Sequence, residues 1–290
     1  MAEQLFTPPD PDLEDDRVIA DIARLRTELA AFLRVPKRWE GTLRRNAQAK
    51  AIQGSNSIEG YLVSDADAAA AVLDDEPLTA DQQTWREIQA YRQVMTFVLG
   101  LASQPGFPVD EQTLRTMHFM LLNHDLAKAP GQYRPGPIYV QDERTGDHVH
   151  EGPEADRLPA LMKAFAARIQ PHEGLPALIN AAMAHLNLVR IHPFRDGNGR
   201  MARAVQTLVL AQDAILEPTF SSIEEWLGHN TADYYRVLAV TGDGAWHPER
   251  STRLWVKFNL RAHHMQAQTV RRRFNEAERV LTAIHDLVSR

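Results

Sequence analysis

Cysteine is absent from the 290 residues, which removes disulfides, thiolate metal sites and a cysteine nucleophile, and fits a reducing compartment. An excess of basic residues is missing as well. Lys and Arg number 32 against 38 Asp and Glu, a formal charge of −6, so a generally basic nucleic-acid-binding surface is not expected. No apolar run reaches the length of a membrane span, and the acidic start MAEQLFTPPDPDLEDD has neither the basic nor the apolar region of a signal peptide. A cytoplasmic protein with no membrane contact is the expectation. No G-K-[ST] occurs, which excludes a Walker A loop, and no internal repeat or low-complexity run is found. At 44% hydrophobic, the chain can bury one large core or two modest ones, and a single enzyme domain with helical elaborations is the natural reading.

Hydrophobic spacing is mostly helical. Residues 1–16 read as a loose or surface-hugging lead-in. Val18, Ile22, Leu25, Leu29, Phe32 and Leu33 recur at steps of three and four and predict a helix until Pro36. A second helix is expected over 42–59, stopping at Gly60, and a third, alanine-rich, capped by Ser64 or Asp65 and ending near Asp74. Longer helical patterns cover 81–101 and 111–123, separated by Pro105-Gly106 and Pro108 and followed by a break at Pro130-Gly131. The segment 138–150 is the exception. Ile138, Val140 and Val149 alternate with polar residues around Thr145-Gly146, which predicts a β-hairpin. Helices are expected again over 155–169, 176–190, 199–212, 222–226 and 231–241, with one or two closing helices after Glu249. The fold class is mainly α with one small hairpin.

The chemistry is concentrated in His192-Pro193-Phe194-Arg195-Asp196-Gly197-Asn198-Gly199-Arg200-Met201-Ala202-Arg203. Glycines on both sides of Asn198 allow successive N–H groups to converge on an anion, and a helix starting there adds its positive end to that field. Asp196 is an oxygen ligand of the type Mg²⁺ takes, with phosphate oxygens and water filling the rest. Arg200 and Arg203 share one helix face and can fork onto further phosphate oxygens. His192 is left to take a proton, and Phe194 to plug the core beneath the loop. Pro193 and Arg195 are assigned no chemistry.

This run resembles the signature of the Fic (filamentation induced by cAMP) family, H-x-F-x-[DE]-G-N-G-R-x-x-R, with every specified position filled. Taking roughly 5% for each residue type, the eight positions coincide by chance in about one window in ten billion, so a bland Gly-Asn-Gly turn is set aside. Gly131-Gln132-Tyr133-Arg134 followed by a hairpin has the order of the Fic core. In that family the hairpin is a flap that aligns the target by strand addition. The resemblance implies a Fic-type helical core over 105–245, a helical region over 1–104 and closing helices over 246–290. Tyr234 and Tyr235 resemble the family's tyrosines near the nucleoside pocket. Ser55-Asn56-Ser57-Ile58-Glu59-Gly60 matches the inhibitory motif [ST]-x-x-x-E-[GN]. Alone that motif recurs in about one chain in five. Its place before a complete core implies that Ser55 and Glu59 form an inhibitory helix end, with Glu59 pairing with Arg203 and crowding the γ-phosphate.

The activity so implied is transfer of AMP from ATP to a Ser, Thr or Tyr hydroxyl of a target protein. In it His192 is the base, Asp196 holds Mg²⁺, and Gly197, Asn198, Gly199, Arg200 and Arg203 hold the phosphates. Self-modification and a homodimer are compatible with it. The alternatives are removal of AMP, with Glu59 positioning water, and a nucleotide-sensing regulatory protein. DNA binding is given little weight on the acidic charge. His148 and His150, lacking further ligands at a recognisable spacing, read as flap surface and not as a metal pair.

Overall fold

The computed structural model describes residues 4–33, 40–102, 104, 107, 109–141, 148–171, 174–212 and 222–288. Among these, helices alternate with short connections: α1 (Leu13–Leu33), α2 (Glu40–Ile58), α3 (Asp65–Leu73), α4 (Gln82–Ala102) and α5 (Glu111–Leu122). A hairpin of β1 (Tyr139–Gln141) and β2 (His148–Glu151) follows, then α6 (Leu158–Arg168), α7 (Ala177–Ile191) and α8 (Asn198–Gln212). The chain closes with α9 (Glu224–His229), α10 (Thr231–Gly242) and α11 (Arg253–Val288). No helix among the described residues is long and apolar enough to cross a membrane.

The centre is α7. Every residue from Leu178 to Leu188 is buried, so the helix has no solvent face and must be enclosed, as it is by α6, α8 and α11. Trp255 of α11 lies wholly buried against it and donates its indole N–H to Ala182 O at 2.7 Å. One apolar core connects Phe6 at one end of the chain with Ala262 near the other, and a satellite of Leu29, Val270 and Phe274 joins α1 to α11.

Local signals explain most boundaries. Ser64 caps α3, accepting from the Asp67 N–H at 3.0 Å, and Asp110 caps α5, accepting from the Thr113 N–H at 2.8 Å. Gly60, at φ 86°, ends the segment after α2 in a conformation that other residues resist. The hairpin pairs Tyr139 with Glu151 and Val140 with His150 in antiparallel register. Its turn, Thr145-Gly146, lies outside the described residues, as do Pro36, Pro105-Gly106 and Pro108.

Two expectations change and a third, of one or two closing helices, narrows to one. The lead-in is not loose over its whole length: Phe6 is buried against Trp246, and its backbone N–H and C=O both bond the Asn187 side chain, at 2.9 and 3.1 Å. A central helix side chain satisfies an irregular strand there, which periodicity cannot foresee. The region 155–169 opens with a 3₁₀ turn (Ala155–Arg157) before α6. The closing region is a single helix of 36 residues.

Candidate active site

The signature run is the corner between α7 and α8. His192 ends α7 at φ 49°, a left-handed conformation uncommon outside glycine. Its Nδ1 lies 3.2 Å from Val189 O. A carbonyl only accepts, so Nδ1 carries the proton and Nε2 keeps a lone pair. Burial pushes the His192 pKa down to about 4, with nearby Arg134 and Arg190 acting in the same direction, so the ring is a neutral acceptor at physiological pH.

The corner is held from below. Phe194 is wholly buried and stacks on His118 with ring centroids 3.6 Å apart. His118 accepts from the Gly131 N–H at 2.8 Å through Nδ1 and therefore donates to Asp196 O at 3.0 Å through Nε2. Burial lowers its pKa to about 4, so both bonds persist at neutral pH. Asn198 gives both amide atoms to the Phe194 backbone, at 3.0 and 2.9 Å. These two bonds close the loop. Gly197 sits at φ 74°, and an added Cβ would come 3.1 Å from Leu121, so both conformation and space require glycine. From the flap side, Arg134 donates through Nε to His192 O at 2.8 Å and through its backbone to Pro193 O at 2.9 Å.

Charges gather above this frame. Asp196 accepts from the Gly197 N–H at 2.6 Å and from Lys128 Nζ at 2.6 Å, with Arg200 4.0 Å away. Burial would raise its carboxyl pKa, but Lys128 and Arg200 win and hold it below the usual range. Arg200 and Arg203 are both buried on α8. Glu59 pairs with Arg203 at 2.6 Å, and Ser55 takes two more guanidinium donors, through its hydroxyl at 2.8 Å and its carbonyl at 2.9 Å. A Cβ added to Gly199 would meet the Glu59 carboxylate at 2.4 Å, so that carboxylate lies directly on the first turn of α8. It occupies the place where a helix N-terminus attracts an anion. Arg203 NH1 and Arg200 Nε are buried with no hydrogen-bond partner among the described residues. Beside the start of α8, such donors can take an anion.

The two tyrosines separate. Tyr234 is buried beside Trp255, with its hydroxyl 3.0 Å from His185 Nε2. Tyr235 is 48% exposed and donates to Ile58 O at 3.1 Å, at the end of α2. His150 is not flap surface: it is buried with Nε2 2.7 Å from Arg190 O and its ring 6.3 Å from that of His192. The His148 side chain lies outside the described residues. No group of three or more His, Asp or Glu among the described residues could hold a metal by itself. Asp196 is a single partly exposed carboxylate, which fits Mg²⁺ only where nucleotide phosphates complete the ligand set.

Sequence reasoning missed Glu87, Lys128, His118 and Arg134. The signal for Glu87 and His118 was a polar residue inside an apolar stripe: Glu87 precedes Tyr91, Val94 and Val98 on the buried face of α4, and His118 lies between Leu114 and Leu121 on α5. Lys128 carried no such signal, because its partner Asp196 is far along the chain.

Residues 108–210 match the family model described as Fic/DOC family. A curated relative, the protein adenylyltransferase Fic of Nematostella vectensis, is 25% identical over 252 residues, covering 83% of this chain and 54% of that protein. That of Culex quinquefasciatus is 32% identical over 126 residues, covering 43% and 23%. The chain thus spans about half the length of the first and about a quarter of the second. Among solved structures, a Fic family protein from Desulfovibrio desulfuricans superposes with a TM-score of 0.73 at 25% identity, covering 90% of this chain and 75% of that one. A Fic domain containing signaling protein from Bacteroides thetaiotaomicron gives 0.72 at 18% identity, covering 87% and 96%, a likeness of fold.

Proposed function

Because the chain carries a Fic/DOC family domain at residues 108–210, we propose that it is a protein adenylyltransferase, moving AMP from ATP to a Ser, Thr or Tyr hydroxyl of a target protein and restrained by Glu59. The observation that carries this reading is the convergence of unpaired buried donors of Arg200 and Arg203, the α8 N-terminus and the unprotonated Nε2 of His192 on one corner. Such a corner suits a polyphosphate beside a hydroxyl that must lose a proton.

In the reaction the target oxygen attacks the α-phosphorus in line while its proton passes to His192 Nε2. The bond from that phosphorus to the bridging oxygen of the β-phosphate breaks, and pyrophosphate leaves. Gly197 and Gly199 hold the phosphates through the backbone, and Arg200 and Arg203 through their guanidinium groups. Asp196 would hold Mg²⁺ together with the phosphates, and the ion when bound would neutralise charge on the leaving pyrophosphate. The edge of the short hairpin pairs with an extended segment of the target. Glu59 opposes all of this by holding Arg203 and covering the first turn of α8 with a negative charge.

The test uses labelled ATP, Mg²⁺ and a lysate with the parent, Glu59→Gly, and Glu59→Gly combined with His192→Ala. Glu59→Gly raises adduct formation well above the parent, and His192→Ala lowers it by roughly 10² to 10⁴ while ATP binding persists. Absence of adduct from Glu59→Gly, with ATP bound by calorimetry, overturns the reading. Intact mass of the protein reports self-modification in the same samples.

A further inference from the structure

Arg200 also meets a carboxylate, from an element outside the matched residues 108–210. Glu87 lies on α4 and is wholly buried. Its Oε2 takes Arg200 NH1 in a short ion pair. Its Oε1 accepts from the Tyr61 hydroxyl at 2.9 Å and faces His124 Nε2 at 3.2 Å and Lys128 Nζ at 3.4 Å. Burial would raise the Glu87 pKa, but the Arg200 charge, the Tyr61 hydroxyl and the Lys128 charge hold it below its ordinary value, so it stays ionised. A buried carboxylate with this many partners does not move aside without stranding them.

Arg200 is held by one corner only. NH1 is bound to Glu87, the Tyr61 ring lies 5.5 Å from the guanidinium carbon, NH2 is 4.0 Å from Asp196, and Nε has no partner among the described residues. Without Glu87, Arg200 can turn towards Asp196, 4.0 Å from its NH2. That turn would put a second cation on the carboxylate that Lys128 already holds and take the free guanidinium edge away from the loop.

We propose that Glu87 is the positioning residue for Arg200. It fixes the guanidinium through NH1, with Tyr61 as a lateral support, and keeps the remaining donors directed at nucleotide phosphate and away from the Asp196–Lys128 pair. The proposal rests on the transferase reading above. Binding of the triphosphate also uses Arg203 and the backbone, so loss of Glu87 acts on the geometry of transfer more than on affinity.

The test is made in the Glu59→Gly background, where Arg203 is released from Glu59, with adduct mass for kcat and KM and calorimetry for ATP affinity. Glu87→Gln keeps the shape and removes the charge. It lowers kcat by at least about ten-fold with ATP affinity changed by less than about three-fold. In an Arg200→Ala background the same substitution changes kcat by less than about two-fold, because the group it positions is gone. An undiminished kcat in Glu87→Gln, or an equal loss with and without Arg200, overturns the proposal. If Glu87→Gln shows no cooperative melt, Tyr61→Phe decides: it removes one donor from Glu87, and an unchanged kcat in it overturns the proposal as well. Absence of adduct from Glu59→Gly itself removes the transferase reading and this inference together, whereas adduct there with no effect of Glu87 removes this inference alone.

Discussion

The two arginines of α8 lie one helical turn apart, and each has a buried or half-buried glutamate, yet the pairs differ in kind. Glu59 is 21% exposed, follows the last turn of α2 and is succeeded by Gly60, so little has to move for it to leave Arg203. Glu87 is 1% exposed in the middle of α4 and serves Tyr61, Lys128 and Arg200 together. A carboxylate just past a helix end can be displaced by phosphate, since both offer oxygens to the same guanidinium fork. A carboxylate inside a helix, with several donors depending on it, costs several kcal/mol to unpair and stays. One pair is suited to release and the other to anchorage.

The contrast breaks most clearly at Arg203. In the Glu59→Gly protein, Arg203→Ala lowers transfer by about 10² to 10³, the usual cost of removing one charge-stabilising donor, and restoring Glu59 then makes little further difference. Adduct mass across the four combinations checks this. A large effect of Glu59 in the absence of Arg203 would show that it acts elsewhere, for instance by repelling the triphosphate.

Gly54 tests how firmly the releasable side is docked. A Cβ there would lie 2.2 Å from Glu224 O, where α2 crosses α9, and Gly228 of α9 meets Gly54 in the same way. Gly54→Ala must push α2 outward, at a cost of about 1–3 kcal/mol by urea unfolding, and activity rises if Glu59 withdraws with its helix. Gly100→Ala on α4, where nothing lies within 4 Å, is the control and leaves activity unchanged.

Acid sharpens the comparison on the anchored side. His118, His150 and His185 are buried in the frame, with pKa values pushed by burial to about 4, 3 and 3. Their folded values lie below the unfolded one, so the unfolded chain binds more protons and folding is favoured fully only above about pH 6.5. Each contributes a loss of about 1.4 kcal/mol per pH unit as pH falls from about 6.5 towards its folded value. Urea midpoints at pH 7 and pH 5 measure it, and equal midpoints would mean that these rings protonate in the native state.

The smallest effect is expected from Tyr235→Phe, which removes the hydrogen bond to Ile58 O and one tie on the inhibitory segment. Stability falls by about 1 kcal/mol or less. Transfer by the parent protein rises by a few-fold at most, and a fall in transfer with weaker ATP binding would place Tyr235 at the nucleotide instead.

The residues 192–203 were legible because their chemistry is contiguous: a base, a carboxylate, two glycines and two arginines within one corner need only a helix on each side to become a site. Helix positions were legible for a similar reason, since the apolar stripes of α4, α5 and α7 are periodic, and caps such as Ser64 and Asp110 act over three residues. The Ser55–Glu59 motif named the partner of Arg203 correctly across 144 positions, but only through the resemblance. What tertiary structure alone decided is how side chains with two plausible uses are spent. Asn198 closes the loop, Tyr234 fills the core and His150 bonds a backbone carbonyl beside the base, each because a buried polar atom takes the nearest geometric partner. Glu87, Lys128 and Tyr61 meet the loop across 113, 68 and 139 positions of sequence. Ion pairs of that span leave no periodic trace, since their free energy depends on distance and burial that exist only once the helices have packed.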